Sequence, residues 1–185
     1  MTCSLIFGGA RSGKSAYAER LAAASNLPVT YIATARAGDG EMAARIARHR
    51  ADRPSHWCTH EEPSALGDAI ARWRSPQRLV LVDCLTLWLS NLMFDADTAY
   101  PDVGAIALPP RFHTERARLL AVLAEGGGDV VLVSNEVGMG IVPWGAVSRS
   151  FADEAGRLNQ AVAAVCERAV FVAAGLPLVL KGAAC

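Results

Sequence analysis

The chain has 185 residues, 52% of them apolar and 19% charged, enough to bury roughly 70% of the surface its unfolded form would expose and too apolar for a disordered segment. Eighteen basic and eighteen acidic side chains cancel, so no overall field favours a nucleic-acid backbone or an anionic membrane surface, and any anion has to be met by a local cluster. Five scattered cysteines lack the short spacings of a disulfide framework or a zinc site and read as separate reduced thiols.

The predicted elements alternate between apolar β-type runs and helical patterns, the rhythm of parallel α/β units. Strands are expected at Cys3–Phe7, Val29–Ala33, Leu79–Asp83, Val130–Ser134 and Ala169–Ala173, with weaker ones at Trp57–Thr59 and Leu178–Lys181. Helices are expected at Gly13–Ala24, Glu41–Ala51, Pro63–Trp73, Leu85–Phe94, Pro110–Glu125 and Val147–Arg168. Most strands are continuously apolar, which calls for helices on both faces of the sheet. Right-handed crossovers then give an open, doubly wound sheet with ligands beyond the carboxyl ends of its strands. No linker divides residues 1–185, so one domain is expected. No apolar run approaches the ~20 residues of a membrane span, and no basic stretch leads into an apolar leader, so a cytoplasmic protein is expected.

Two stretches break the rhythm. Asp95–Pro110 carries three of the nine prolines and reads as a surface connection. Glu136–Pro143, EVGMGIVP, sets Met139, Ile141 and Val142 among glycines directly after a strand. Such a loop either meets a bulky ligand or partner subunit or folds onto its own core. Glu136 either polarises an acceptor hydroxyl or caps the loop.

The octapeptide Gly8, Gly9, Ala10, Arg11, Ser12, Gly13, Lys14, Ser15 fits Gly-x-x-x-x-Gly-Lys-Ser and stands between an apolar strand and a helix. Its glycines allow successive N–H groups to converge on phosphate oxygens, and the following helix adds its positive end. Lys14 is expected to reach the β- and γ-phosphates, and the Ser15 hydroxyl to ligate Mg²⁺. The apolar strand ending at Asp83 supplies a carboxylate suited to the same metal, or else an N-cap for the helix that begins at Leu85.

That loop serves many reactions, so the chemistry has to come from elsewhere. In EMAARIARHRADRP, a helix over Glu41–Arg53 would place Met42, Ile46, His49 and Arg53 on one stripe. Glu41, Arg45, Arg48 and Asp52 fall on another, paired at i,i+4. A stripe that starts apolar and ends in imidazole and guanidinium needs a polar ligand against it. Arginines at 45, 48, 50 and 53 give the fixed positive charge that a histidine acting on a phosphate ester requires, and they favour the neutral, nucleophilic imidazole. A covalent phosphoramidate on His49 is the resulting candidate, with a satisfied structural histidine as its alternative. His56, Cys58 and His60 recur at every second residue but lack a fourth zinc ligand.

Taken together, GGARSGKS, YIATA at 31–35, EMAARIARHRADRP with HW at 56–57, NEVGMGIVP at 135–143 and FADEAGRLNQ at 151–160 resemble the bifunctional adenosylcobinamide kinase/adenosylcobinamide-phosphate guanylyltransferase family. The resemblance implies a RecA-like P-loop NTPase fold with a mostly parallel sheet of about seven strands, in a homotrimer. It also implies two reactions: phosphorylation of adenosylcobinamide by ATP or GTP, then GMP transfer from GTP to adenosylcobinamide phosphate through a guanylyl-histidine. His49 holds the nucleophile's position, with Lys14 as the second catalytic residue. Nucleotide contacts carried over are Gly8 to Ser15, then Ala33, Thr34 and Ala35, then Arg50, Ala51, Asp52 and Arg53, with Glu61 and Asp83. Ser15 and Asp83 are the implied Mg²⁺ ligands. Some relatives have a histidine pair where this chain has Arg48 before His49, which singles out His49. The rival readings are a small-metabolite kinase without a covalent step, a RecA-like ATPase acting on nucleic acid, and a nucleotide-binding module without turnover.

Overall fold

The computed structural model describes residues 2–36, 40, 53–94 and 98–183. Seven strands form one sheet: β1 Cys3–Gly8, β2 Val29–Ala33, β3 Cys58–Glu61, β4 Leu79–Asp83, β5 Asp129–Asn135, β6 Arg168–Ala173 and β7 Leu176–Lys181. Their order across the sheet is β3-β2-β4-β5-β1-β6-β7. All neighbours run parallel except β7, which returns antiparallel to β6. The described helices are α1 Lys14–Ala24, α2 Leu66–Trp73, α3 Leu85–Met93, α4 Pro110–Glu125 and α5 Ala146–Val165.

The continuous apolar runs are buried on both faces, as expected of parallel strands. On one face Leu5, Ile32, Val80, Val82 and Leu132 pack with Ile70, Trp88, Leu119, Leu158 and Val162 from α2 to α5. On the other, Ile6, Tyr31, Leu81, Val133, Val170 and Val172 pack against Tyr17, Ala18 and Ala22 of α1. No described helix is long and apolar enough to cross a membrane.

Most element boundaries fall within one residue of the sequence expectation, and three of the larger differences have a local cause. The helix expected from Pro63 starts at Leu66, because the Glu62 carboxylate accepts the amides of Ser64 and Ala65 and holds that stretch as a turn. The last helix stops at Val165 rather than Arg168, since Arg168 opens β6 in register with Ser4. Strand β7 begins two residues earlier than expected, after a tight hairpin in which Ala174 and Gly175 both have positive φ (51° and 78°), the conformation that a two-residue turn favours. The helix expected over Glu41–Ala51 lies outside the described residues.

The cysteine expectation needs correction for one pair. Cys3 of β1 and Cys166 after α5 meet sulfur to sulfur with Cα atoms 4.7 Å apart, a spacing within the disulfide range. Their sequence separation of 163 residues hid a spatial pair.

Candidate active site

The glycine turn lies where a doubly wound sheet places its ligands, at the carboxyl end of β1. Gly13 caps α1 with φ 92°, a left-handed conformation that glycine adopts without strain. An added Cβ there would also sit 3.0 Å from Gly175 Cα in the β6–β7 hairpin. The turn is braced from three sides. Ser12 N–H donates to Gly9 O (3.2 Å), Gly175 N–H donates to Ser12 O (2.8 Å), and Glu136 N–H donates to Gly8 O (2.9 Å). The hairpin that the sequence only half revealed is therefore a wall of the nucleotide loop.

Lys14 is buried, and its ammonium donates to Gly9 O at 3.2 Å, which folds the side chain back over the turn. The first turn of α1 carries no acidic residue and no side-chain cap, so its amides and positive end are left for an anion. Ser12 Oγ is buried with no hydrogen-bond partner among the described residues. A buried donor of that kind calls for a polar ligand. Arg11 is exposed at the crest with φ 56°.

Across the sheet, β5 separates β1 from β4, so Asp83 lies about 10 Å from the turn. Asp83 ends β4 in register with Ala33 of β2, and Ala33 is in turn in register with Glu61 of β3. The strand ends thus gather Ala33, Thr34, Glu61 and Asp83 on one rim. Thr34 is fully buried: its hydroxyl donates to Cys84 O (2.7 Å) and accepts from Cys84 N (3.0 Å). Thr34 therefore knits β2 to β4, and the Asn91 amide reinforces the joint by donating to Thr34 O at 2.8 Å. The oxygen donors of Ser15 and Asp83 suit a hard divalent cation such as Mg²⁺.

Arg53 reaches the same rim. Its guanidinium lies over the Tyr31 ring, 3.5 Å from the centroid, and its buried Nε has no hydrogen-bond partner among the described residues. Tyr31 in turn faces Asp83, two register positions further along the neighbouring strand. Burial, followed by the Asp83 charge, pushes the Tyr31 phenol far above its ordinary range. Burial also raises the Cys84 thiol, with Asp83 adding to the effect. His49, Arg50, Ala51 and Asp52 lie outside the described residues.

Two residues beside the site, quoted in sequence only within longer motifs, were given no role there. Asn135 ends β5 beside Gly8 in register, and its amide donates to the Thr86 hydroxyl at 2.8 Å. Tyr31 reads in sequence as an ordinary strand aromatic. A usable signal for Asn135 was the shared form of β4 and β5, apolar strands that close on polar side chains at the ligand edge, Asp83 in one and Ser134 and Asn135 in the other.

The loop after β5 is resolved in favour of exposure. Met139, Ile141, Val142 and Trp144 are 77%, 98%, 74% and 87% exposed, so the loop is not folded onto its own core. The Glu136 carboxylate accepts the Gly138 amide at 2.6 Å, which is the capping role. The described part of the proline-rich connection packs on α5, where Asp102 O accepts the Ala146 amide. A cavity of about 430 Å³ there is lined by Ile106, Leu108, Arg149, Asp153 and Arg157 among others. Cys58 is exposed on β3 and His60 stacks beside Trp73. The described residues contain no cluster of three or more metal-ligating side chains.

Comparison with known proteins agrees with this geometry. Residues 4–180 match the family described as Cobinamide kinase / cobinamide phosphate guanyltransferase. Over 178 residues the chain is 56% identical to the bifunctional adenosylcobalamin biosynthesis protein CobP of Pseudomonas aeruginosa, covering 96% of each. It is 42% identical over 179 residues to the bifunctional adenosylcobalamin biosynthesis protein CobU of Escherichia coli, covering 96% of this chain and 98% of that one. Among solved structures, an ATPase from the type III secretion system of pathogenic bacteria superimposes with a TM-score of 0.55 at 14% identity, over 96% of this chain and 56% of that chain. A structure from Pyrococcus horikoshii gives 0.51 at 8% identity, over 99% of this chain and 87% of that one. These likenesses concern the fold, which is the RecA-like P-loop arrangement.

Proposed function

The chain belongs to the cobinamide kinase / cobinamide phosphate guanyltransferase family, and from that premise we propose that one nucleotide site, built on Gly8 to Ser15, serves both of the family's reactions. In the first, ATP or GTP phosphorylates the aminopropanol hydroxyl of adenosylcobinamide. In the second, GMP passes from GTP to adenosylcobinamide phosphate, giving adenosylcobinamide-GDP and pyrophosphate. The observation that carries the single-site reading is the pair of buried orphan donors, Ser12 Oγ in the turn and Arg53 Nε at the opposite rim. Both await an acceptor-rich ligand, and a triphosphate is one.

In the kinase step the acceptor oxygen bonds to the γ-phosphorus as the β–γ bridging bond breaks. Lys14 and the amides of the α1 N-terminus stabilise the negative charge that develops on the departing diphosphate. In the transfer step His49 attacks the α-phosphorus and pyrophosphate leaves, forming a phosphoramidate. The acceptor phosphate oxygen then attacks the same phosphorus, and the imidazole departs. Arg50 and Arg53, close to His49 in sequence, supply fixed cations, and Ala33, Thr34, Ala35, Ala51, Asp52 and Glu61 complete the nucleotide contacts. Ser15 and Asp83 would hold Mg²⁺, which supplies charge neutralisation on the polyphosphate. Our reading further takes residues 1–185 as one nucleotide-binding domain assembled as a cytoplasmic homotrimer, with the exposed Met139–Trp144 loop facing the corrinoid or the neighbouring subunit.

Incubation with α-labelled GTP followed by peptide mass analysis tests the covalent step. One guanylyl group is expected on the peptide containing His49, lost on acid treatment and absent in His49→Ala. An active kinase that never acquires the label would sink the reading and leave a monofunctional small-metabolite kinase.

A further inference from the structure

Tyr31 is 2% exposed, yet it is wired as no ordinary core aromatic would be. Its ring face carries the Arg53 guanidinium at 3.5 Å, and its hydroxyl faces the Asp83 carboxylate across the β2–β4 register. A purely space-filling role would be met by phenylalanine, with no hydroxyl buried beside a charge. Register puts this residue two positions before Ala33, the neighbour of both Asp83 and Glu61. It therefore lies directly beneath the rim on the same face as α1. Arg53 follows His49 by four residues and keeps a buried, unpartnered Nε. Stacking on the ring therefore anchors the arginine while leaving a donor free for phosphate.

We propose that Tyr31 is a positioning residue that ties the Asp83 carboxylate to the Arg53 guanidinium, so that one buried ring sets both the acid facing Mg²⁺ and the cation beside the nucleotide-carrying histidine. Two attachments do separate work. The phenol O–H, donated to one carboxylate oxygen, fixes the carboxyl rotation and turns the other oxygen toward the metal, as outer-shell hydrogen bonds do for metal ligands generally. The ring face holds a planar guanidinium by cation–π attraction, which is strongest where water is excluded. The proposal rests on reading the glycine turn and Asp83 as the nucleotide–metal site.

The full chain is titrated with GTP by calorimetry, with and without Mg²⁺, for the parent, Tyr31→Phe, Tyr31→Leu, Arg53→Gln and the Tyr31→Leu/Arg53→Gln double variant. Tyr31→Phe keeps the ring and loses the hydroxyl. Its metal-free GTP affinity should stay within about twofold of the parent while its Mg²⁺-dependent gain falls about tenfold, the size of one hydrogen bond to a charge. Tyr31→Leu should also weaken metal-free binding about thirtyfold, the size of a desolvated cation–π contact. Arg53→Gln should match or exceed that loss, and the double variant should be no weaker than Arg53→Gln alone. A melting temperature for Tyr31→Phe close to the parent's is expected, because a phenylalanine fills the same space. The proposal is overturned if Tyr31→Phe retains the full Mg²⁺ gain, or if the Tyr31→Leu and Arg53→Gln losses multiply. If the parent binds no GTP at all, the nucleotide-site reading beneath the proposal fails and the proposal goes with it.

Discussion

Gly8 and Gly9 are adjacent in the nucleotide loop, yet the structure assigns them opposite tolerances. A Cβ built on Gly8 would stand 2.2 Å from the carbonyl oxygen of Val172 in β6 and 2.8 Å from Ser12 Oγ, whereas one on Gly9 meets nothing within 4 Å. The first obstacle is backbone of a paired strand, since β1 and β6 are in register from Ser4 to Phe7. It cannot rotate away as a side chain could. Relieving the contact requires the end of β6 to move by roughly 1 Å, and overpacking of that kind costs about 1–3 kcal/mol. The upper part of that range applies here because a sheet edge and the loop both have to shift. For a chain of this length 1 kcal/mol corresponds to about 2–4 °C, so Gly8→Ala should melt about 5–10 °C below the parent. Gly9→Ala should melt within about 2 °C of it, or slightly above, because alanine restricts only the unfolded chain. Thermal denaturation followed by circular dichroism reads both. Equal melting temperatures for the two variants would refute the argument that Gly8 is required by the approach of β6.

Glu115 on α4 has a carboxyl held above its ordinary range by burial, then by the charges of Asp68 and Glu62, and its Oε2 has no hydrogen-bond partner among the described residues. A raised carboxyl favours the folded state at low pH and loses that contribution as pH rises through the folded-state value. Glu115→Gln should therefore be more stable than the parent at pH 7 by about 0.5 kcal/mol after solvent screening, with the gain vanishing below about pH 4. Melting curves across that range check both the sign and the window. Cys58 is exposed and Cys84 buried, with the Cys84 thiol raised by burial and by Asp83. Iodoacetamide at pH 8 should label Cys58 promptly and Cys84 only after denaturation, as read by peptide mapping. Rapid labelling of native Cys84 would contradict the packing at the end of β4.

The strands and helices that could be read directly are those whose signals are local. Leu79–Asp83 is a continuous run of four apolar residues closed by an acid, and Gly8 to Ser15 carries its phosphate logic in spacing alone. The same holds for α4, bounded as expected by Pro110 and by Gly126 after Glu125. Burial on both faces followed from strands that do not alternate, because only a helix-covered sheet can hide such runs. None of this depended on knowing what touches what.

Long-range contact decided the rest. Nothing in the spacing of Cys3 and Cys166 predicts that they meet, because the strand order that brings β1 beside the end of α5 is a property of the whole sheet. Gly175 looks like any turn glycine until its amide is found bonded to Ser12 O, and Gly8 like any loop glycine until β6 closes on it. Tyr31, a β-favouring aromatic in a strand, belongs by sequence to the core. Only the register of β2 with β4 and the return of Arg53 over the ring make it part of the site. Sequence periodicity records which side of an element faces inward, whereas the identity of the neighbour there is set by how distant segments pack.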